Sequence, residues 1–338
     1  MHTGHRYPLT DTIRWSQREF LIPLILSLAV VVAHTNLGLT WIGVPWLPIS
    51  MIGVAVAFYL GFKNNASYDR MWEARKIYGA IVNASRSWAF TARDFVTNLH
   101  ADEKASDEEL DRIRRELVLR HVAWMDALRF QLRKVKSWEH EGPQFDGFRE
   151  FFKVAEYSED LHVELARCLP EEEIAEVTAQ INPAARLLSN QSRQLLDLRE
   201  RGLIDDFRHM ELQKVLHELM TQQGKAERIK NFPFPRQYST VNSIFAMIFT
   251  TLVPFGMVQE FASLGEGAVW LTVPFSTVVC WVFLTTDKIG DWSESPFEGL
   301  ANDVPITAMT RGIERDVRQM MDEKDLPPAR SPENMILT

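Results

Sequence analysis

Four long stretches without a charged side chain most constrain what this chain can fold into. The first runs from Phe20 to Leu39 and the second from Trp41 to Phe62. Two more cover Val241 to Met257 and Ala268 to Leu284. A helix needs about 20 predominantly apolar residues to cross the hydrocarbon core of a bilayer. The sequence therefore predicts an all-α membrane protein with four transmembrane helices, arranged as two hairpins.

Charged residues are gathered before, between and after these hairpins. Lys and Arg are absent between Ala33 and Phe62, and again between Arg236 and Lys288. Cytoplasmic loops carry the excess of Lys and Arg in membrane proteins, so both short hairpin loops are predicted to face outside and both termini the cytoplasm. The resulting segments are an amino-terminal cytosolic segment (1–19), a first hairpin (20–62), a cytosolic helical domain (63–236), a second hairpin (237–286) and a carboxy-terminal cytosolic segment (287–338).

The central domain shows helical periodicity. Apolar residues and one histidine recur there at steps of three and four, which is typical of amphipathic helices in water. These positions are Leu110, Ile113, Leu117, His121, Trp124 and Leu128, and further on Ile174, Val177 and Ile181. The segment from Ser137 to Phe148 contains Gly and Pro and is predicted to be a loop.

Composition and motifs exclude several classes of function. A net charge of -8 and a pI near 5.7 argue against a nucleic-acid partner, which requires a basic surface. The two cysteines, Cys168 and Cys280, are too far apart in sequence to form a CxxC metal site. The chain contains no HExxH, GxSxG or Gly-rich phosphate-binding motif. We therefore predict no catalytic residues, no metal site and no cofactor.

The stretch from Gly53 to Arg75 changes from apolar to polar without a turn signal, which suggests one helix in two solvents. Val54, Phe58 and Phe62 stand four residues apart and so share one face of that helix. Such a stripe usually packs against other helices. If several copies surround an axis, the same stripe forms rings that gate by dewetting. The polar residues that follow, Lys63 to Ser67, fit a wetted vestibule or simply the edge of the membrane.

The segment GFKNNASYDRMWEARKIYG, Gly61 to Gly79, resembles the signature of the bacterial bestrophins. The resemblance extends over nearly the whole chain, and several ordered matches are more specific than any single one. The further matching segments are LRFQLRK (Leu128 to Lys134), NPAARLL (Asn182 to Leu188), LRERGLIDDF (Leu198 to Phe207), ERIKNFPFPRQY (Glu227 to Tyr238), LVPFGM (Leu252 to Met257) and SPFEGLANDVPI (Ser295 to Ile306).

This resemblance implies a homopentamer around one central pore, in the inner membrane of a bacterium. The partners it implies are the lipid bilayer, further copies of the chain and the permeating monovalent ions. A hydrophobic neck would be formed by Val54, Phe58 and Phe62, the stripe already recognised from its spacing. A second constriction, at the cytosolic exit, would fall on Phe207.

The choice of ion depends on the charges that flank these constrictions. Asp205 and Asp206 near the exit would concentrate cations. Lys63, which lies beside Asn64 and Asn65 below the neck, would oppose this if it faced the lumen. Bacterial relatives are described as passing cations such as sodium, and animal relatives pass anions. We expect a cation channel; the alternatives are an anion channel of the same architecture and a membrane-anchored helical scaffold or sensor.

Animal bestrophins are activated by calcium through a run of consecutive acidic residues after a Pro-Phe pair. The corresponding segment here, Pro296 to Asp303, retains only Glu298 and Asp303 as acidic residues. Because a calcium site requires about six to eight oxygen ligands, we do not expect calcium gating. Asp303 is expected to cap a turn or to form an ion pair instead.

Overall fold

The computed structural model describes residues 1–140, 152–265 and 267–338, and most of these residues are helical. The predicted all-α fold is confirmed. The α-helices in the described residues are α1 (Leu9–Trp15), α2 (Gln17–Thr35), α3 (Trp46–Phe95), α4 (Asp107–Arg133), α5 (Leu161–Ala166), α6 (Glu171–Thr178), α7 (Pro183–Glu200), α8 (Asp206–Asn231), α9 (Arg236–Ala262), α10 (Thr272–Asp291) and α11 (Ile306–Gln319).

Contacts divide the chain into two units. The membrane unit consists of Gly4–Met71 and Pro233–Glu294, and the charged unit consists of Met1–Thr3, Trp72–Phe232 and Ser295–Thr338. The five segments predicted from charge remain predictions.

Four helical stretches are long and apolar enough to cross a membrane. They are Gln17–Thr35, Thr40–Phe95, Arg236–Ala262 and Ala268–Asp291. This confirms the predicted four membrane helices. The first ends at Thr35 instead of Leu39, and Gly38 with a φ of +66° lies in the turn that follows it.

Small residues bring helices of the membrane unit close together. A Cβ atom on Gly53 of α3 would lie 2.6 Å from the ring of Phe249 on α9. A Cβ on Gly256 of α9 would lie 2.6 Å from Ile49. Helices in a bilayer associate by close packing at such small residues. The buried face of α3 is therefore set against α9, while α2 packs on α10 and α9.

The charged unit is built around α4, which packs against α7 and α11, while α7 also packs against α8. All six residues that the periodicity selected between 110 and 128 are buried, as are Ile174 and Val177. Ile181 is the exception, with a relative exposure of 104%. Helix α6 ends at Thr178, and Ile181 directly precedes Asn182, the N-cap of α7, so it no longer follows the helical phase. Of the predicted loop Ser137 to Phe148, only residues 137–140 are described.

His121 lies in the core of the charged unit between two tryptophans. Its ring centroid is 6.3 Å from that of Trp88 and 5.1 Å from that of Trp124. Neither of its ring nitrogens has a hydrogen-bond partner among the described residues. Burial lowers the pKa of His121 to about 3, because a charged imidazole would lose its hydration without gaining a partner.

His121 should make the charged unit sensitive to acid. Between pH 6.5 and 3 an unfolded histidine binds a proton that the folded chain rejects, so stability falls as the pH decreases through this range. The expected loss at pH 5 is about 2 kcal/mol relative to neutral pH. Replacing His121 by Phe should abolish this contribution, as measured by denaturant unfolding at pH 7 and pH 5.

The control for this prediction is His217→Gln, because His217 is exposed. This variant should retain the acid sensitivity of the wild type. Equal losses between pH 7 and pH 5 in the wild type and in His121→Phe would contradict the assignment.

Candidate pore-lining face

One face of α3 is uncovered in the part of the chain that the structure describes. Val54, Phe58 and Phe62 lie on it and are 71%, 68% and 53% exposed. The rings of Phe58 and Phe62 contact each other edge to face, with centroids 5.0 Å apart. Ile49, Val56 and Leu60, in contrast, are buried on the other side of the helix. Packing among the described residues therefore buries Ile49, Val56 and Leu60 and leaves the three candidate neck residues without a partner surface.

Beyond Phe62 the uncovered face of α3 becomes polar. Asn65 and Asp69 follow Phe62 by three and seven residues, which keeps them on the same side of α3, and both are exposed. Within the described residues Asp69 forms no ion pair. Asp69 was not singled out as a pore residue from the sequence, although its distance of two turns from Phe62 was a usable signal.

Lys63 differs from the expectation that it could face the lumen. Its side chain is 0% exposed, and its Nζ lies 2.6 Å from Asp287 Oδ1 and 2.7 Å from Asp291 Oδ1. The physical reason is its phase, since it continues the buried face of Val56 and Leu60. Lys63 therefore offers no free positive charge beside the stripe.

Asn64 also serves packing. Its side-chain amide donates hydrogen bonds to the carbonyl oxygens of Leu60, at 3.0 Å, and Thr286, at 3.1 Å. A Cβ on Gly290 would come within 2.9 Å of Asn64 Oδ1, so the side chain of Asn64 lies directly against this glycine of α10. Of the predicted flanking residues 63–65, only Asn65 is exposed.

Phe207 occupies the first turn of α8 in the charged unit and is 82% exposed. Asp205 is the N-cap of this helix, because its carboxylate accepts a hydrogen bond of 2.9 Å from the backbone N–H of Arg208. This bond lowers the pKa of Asp205. Asp206 forms an ion pair with Arg199. Each of these two carboxylates beside Phe207 has an arginine close by.

Asp303 caps a turn, as expected. Its Oδ2 accepts hydrogen bonds from the backbone N–H groups of Gly299, at 2.8 Å, and Leu300, at 2.9 Å. Burial raises the pKa of Asp303 to about 6. Glu298 contacts Nδ1 of His140 at 2.9 Å. In the described part of the chain, no three or more Asp, Glu, His or Cys side chains are grouped so that they could hold a metal ion.

These features define a helical membrane protein in which one long helix presents an uncovered face that changes from apolar to polar. The chain belongs to the family of bacterial and fungal bestrophins, whose sequence pattern matches residues 14–319. This confirms the resemblance found in the sequence.

Relatives of similar sequence are described as channels. The chain is 28% identical over 318 residues to the voltage-dependent anion channel-forming protein YneE of Salmonella typhi, which covers 93% of this chain and 90% of that protein. It is 31% identical over 309 residues to the voltage-dependent anion channel-forming protein RSc3414 of Ralstonia nicotianae, covering 91% and 88%.

Solved structures agree with the fold. A bacterial bestrophin homologue from Klebsiella pneumoniae matches with a TM-score of 0.74 and 27% identity, over 91% of this chain and 98% of that one. A singly substituted form of that homologue matches with a TM-score of 0.75.

Proposed function

We propose that this chain forms an ion channel as a homopentamer around a central pore in a bacterial inner membrane, with both termini in the cytoplasm. Rings of Val54, Phe58 and Phe62 form its hydrophobic neck, and Phe207 forms a constriction at the cytosolic exit. The observation that carries the proposal is the uncovered face of α3, which runs without interruption from three apolar side chains to Asn65 and Asp69. No catalytic step, metal or cofactor is part of this function.

Lipid contact alone would explain the exposed apolar residues but not their polar continuation. A polar face on the same side of the helix suits a water-filled vestibule below a dry neck. Close approach between copies is supported by Ala55, Ala57 and Gly61, which are small and exposed beside the stripe. The channel-forming relatives named above support the same assignment.

We propose that monovalent cations such as sodium are favoured. Asp69 supports this choice because it lies on the uncovered face and is exposed without an ion pair in the described residues. The nearest cation in sequence to the neck, Lys63, is buried between two carboxylates. Repetition of Asp69 in every subunit would produce a negative ring, which raises the local concentration of cations.

Asp69→Asn should lower the permeability ratio of sodium to chloride severalfold, because it removes one negative charge per subunit from the vestibule. The measurement is the reversal potential across liposomes or planar bilayers under a NaCl gradient. Asp102→Asn, at another exposed aspartate, is the matched control and should leave the ratio unchanged. An unchanged ratio in Asp69→Asn would exclude this residue from ion selection.

An anion channel of the same architecture is the second candidate, and the names of the relatives favour it. Lys76, seven residues after Asp69 in α3, is exposed and carries the opposite charge. A reversal potential near the chloride equilibrium value, shifted toward zero in Lys76→Gln, would select this alternative.

The same recordings test the class of protein. Reversal near the sodium equilibrium value supports the cation channel. The neck can be widened by Phe58→Ala or Phe62→Ala. Absence of current from the folded, oligomeric wild type and from both variants would refute a channel and favour a membrane-anchored scaffold or sensor.

A further inference from the structure

A buried lysine directly follows the last residue of the proposed neck. Lys63 Nζ contacts Asp287 Oδ1 at 2.6 Å and Asp291 Oδ1 at 2.7 Å, and Ser243 Oγ lies 3.5 Å away. Its side chain is 0% exposed. Ionisable groups at the edge of a membrane domain are costly to bury and are usually functional.

These partners come from two different helices. Asp287 and Asp291 belong to the last turns of α10, and Ser243 belongs to α9. Ser239 of α9 also donates a hydrogen bond of 3.2 Å to Asp291. One ammonium group in the interior of α3 therefore contacts the last turns of α10 and the first turns of α9.

The ion pairs of Lys63 restrict the rotation of α3 about its own axis more than its translation along that axis. Adjacent residues of a helix are separated by about 100° of rotation and 1.5 Å of rise. Since Lys63 is covalently next to Phe62, fixing the direction of one side chain fixes that of the other. Asn64, which bonds to the Thr286 carbonyl and is packed against Gly290, provides a second contact with α10 at the next position.

We propose that Lys63 is a positioning residue, whose ion pairs with Asp287 and Asp291 fix the rotation of α3 so that Phe62 and Phe58 point into the pore. This inference rests on the proposed channel function. In this role Lys63 affects gating through the two phenylalanines and does not itself contact the permeating ion.

The two carboxylates are not equivalent. The side chain of Asp287 is 12% exposed and that of Asp291 is 38% exposed. Removing Lys63 leaves two acidic groups without their cation, which is the most disruptive change. Neutralising Asp291 alone leaves the Lys63 to Asp287 pair with no excess charge, and is the mildest.

A double-mutant cycle between Lys63→Met and Phe62→Ala tests the proposal through ion current. If Lys63 acts by orienting Phe62, the increase in current caused by Phe62→Ala should shrink from about tenfold in the wild-type background to about twofold in the Lys63→Met background. A purely structural role would reduce the amount of functional protein and leave this ratio unchanged. Lys225→Met, at an exposed lysine of α8, is the control and should preserve the roughly tenfold ratio.

Asp287→Asn provides the second variant if Lys63→Met does not assemble, because it retains the pair between Lys63 and Asp291. We expect an intermediate ratio for this variant. A full tenfold effect of Phe62→Ala in both backgrounds would overturn the positioning role while leaving the channel intact. Absence of current in wild type and in Phe62→Ala would instead refute the channel, and the positioning role with it.

Discussion

Phe58→Ala is expected to raise the ion current of the reconstituted protein about tenfold, which corresponds to a barrier lowered by about 1.4 kcal/mol. Phe62→Ala should have a similar effect. Truncating the ring widens the neck and lets water, and hence hydrated ions, occupy it more often. Because Phe58 and Phe62 are 68% and 53% exposed within the chain, the loss of either ring removes little of the chain's own core.

The matched control for the neck variants is Phe275→Ala. Phe275 lies on α10 and is 54% exposed, so the same substitution is made at similar exposure on another membrane helix. Current should be measured in planar bilayers and normalised to the amount of oligomer. Equal increases in Phe275→Ala and Phe58→Ala, or no increase in either, would contradict a gate at the α3 stripe.

Arg129→Met should destabilise the charged unit by about 3 to 5 kcal/mol, the usual cost of breaking a buried ion pair from one side. The Arg129 side chain is 2% exposed and its guanidinium contacts Asp126 at 2.8 Å and Glu156 at 2.7 Å. Glu159 and Glu164 lie 3.2 Å away. Without the arginine, carboxylates of Asp126 and Glu156 remain buried with less compensation. Denaturant unfolding measures the loss.

The pH dependence provides a check on that cause. Burial already raises the pKa of Asp126 to about 6, so the folded chain binds a proton there above the range in which the unfolded chain does. The contribution of Asp126 to the free energy of unfolding therefore increases as the pH falls from 7 toward 4. Arg129→Met should enlarge this increase, because protonation then relieves an unpaired charge. If the loss of stability of Arg129→Met relative to the wild type is the same at every pH, the electrostatic explanation is excluded.

Arg86→Met is the control for the buried arginine. Arg86 and Asp316 form an ion pair with side chains 46% and 40% exposed. Exposed pairs of this kind contribute less than about 1 kcal/mol. A loss as large as that of Arg129→Met would show that burial is not what makes Arg129 important.

The helices and their buried faces follow from patterns that the sequence displays directly. Long uncharged stretches predicted the four membrane helices because the bilayer imposes a minimum length. Steps of three and four residues predicted the buried face of α4. The prediction that Ile181 continues the apolar face was wrong, because periodicity does not mark where a helix ends. Helix α6 ends at Thr178, three residues earlier.

The candidate site was predicted less completely. Spacing grouped Val54, Phe58 and Phe62, but nothing in a single sequence indicates that this face would be left uncovered. The burial of Lys63 could not be predicted from the sequence, because its partner Asp287 lies 224 residues further along the chain and only the fold brings the two together. Phe207 was selected by resemblance alone; its role and that of the neck remain predictions.

The uncovered face of α3 also bears on how readily such a protein diversifies. Substitutions at exposed positions usually change folding stability by less than about 0.5 kcal/mol. Val54, Phe58 and Phe62 contribute nothing to the buried core of their own chain, whereas Ile49, Val56 and Leu60 across the helix do. Mutation can therefore sample new side chains on the first face without first losing the fold, and selection can act on conduction at those positions almost independently of folding.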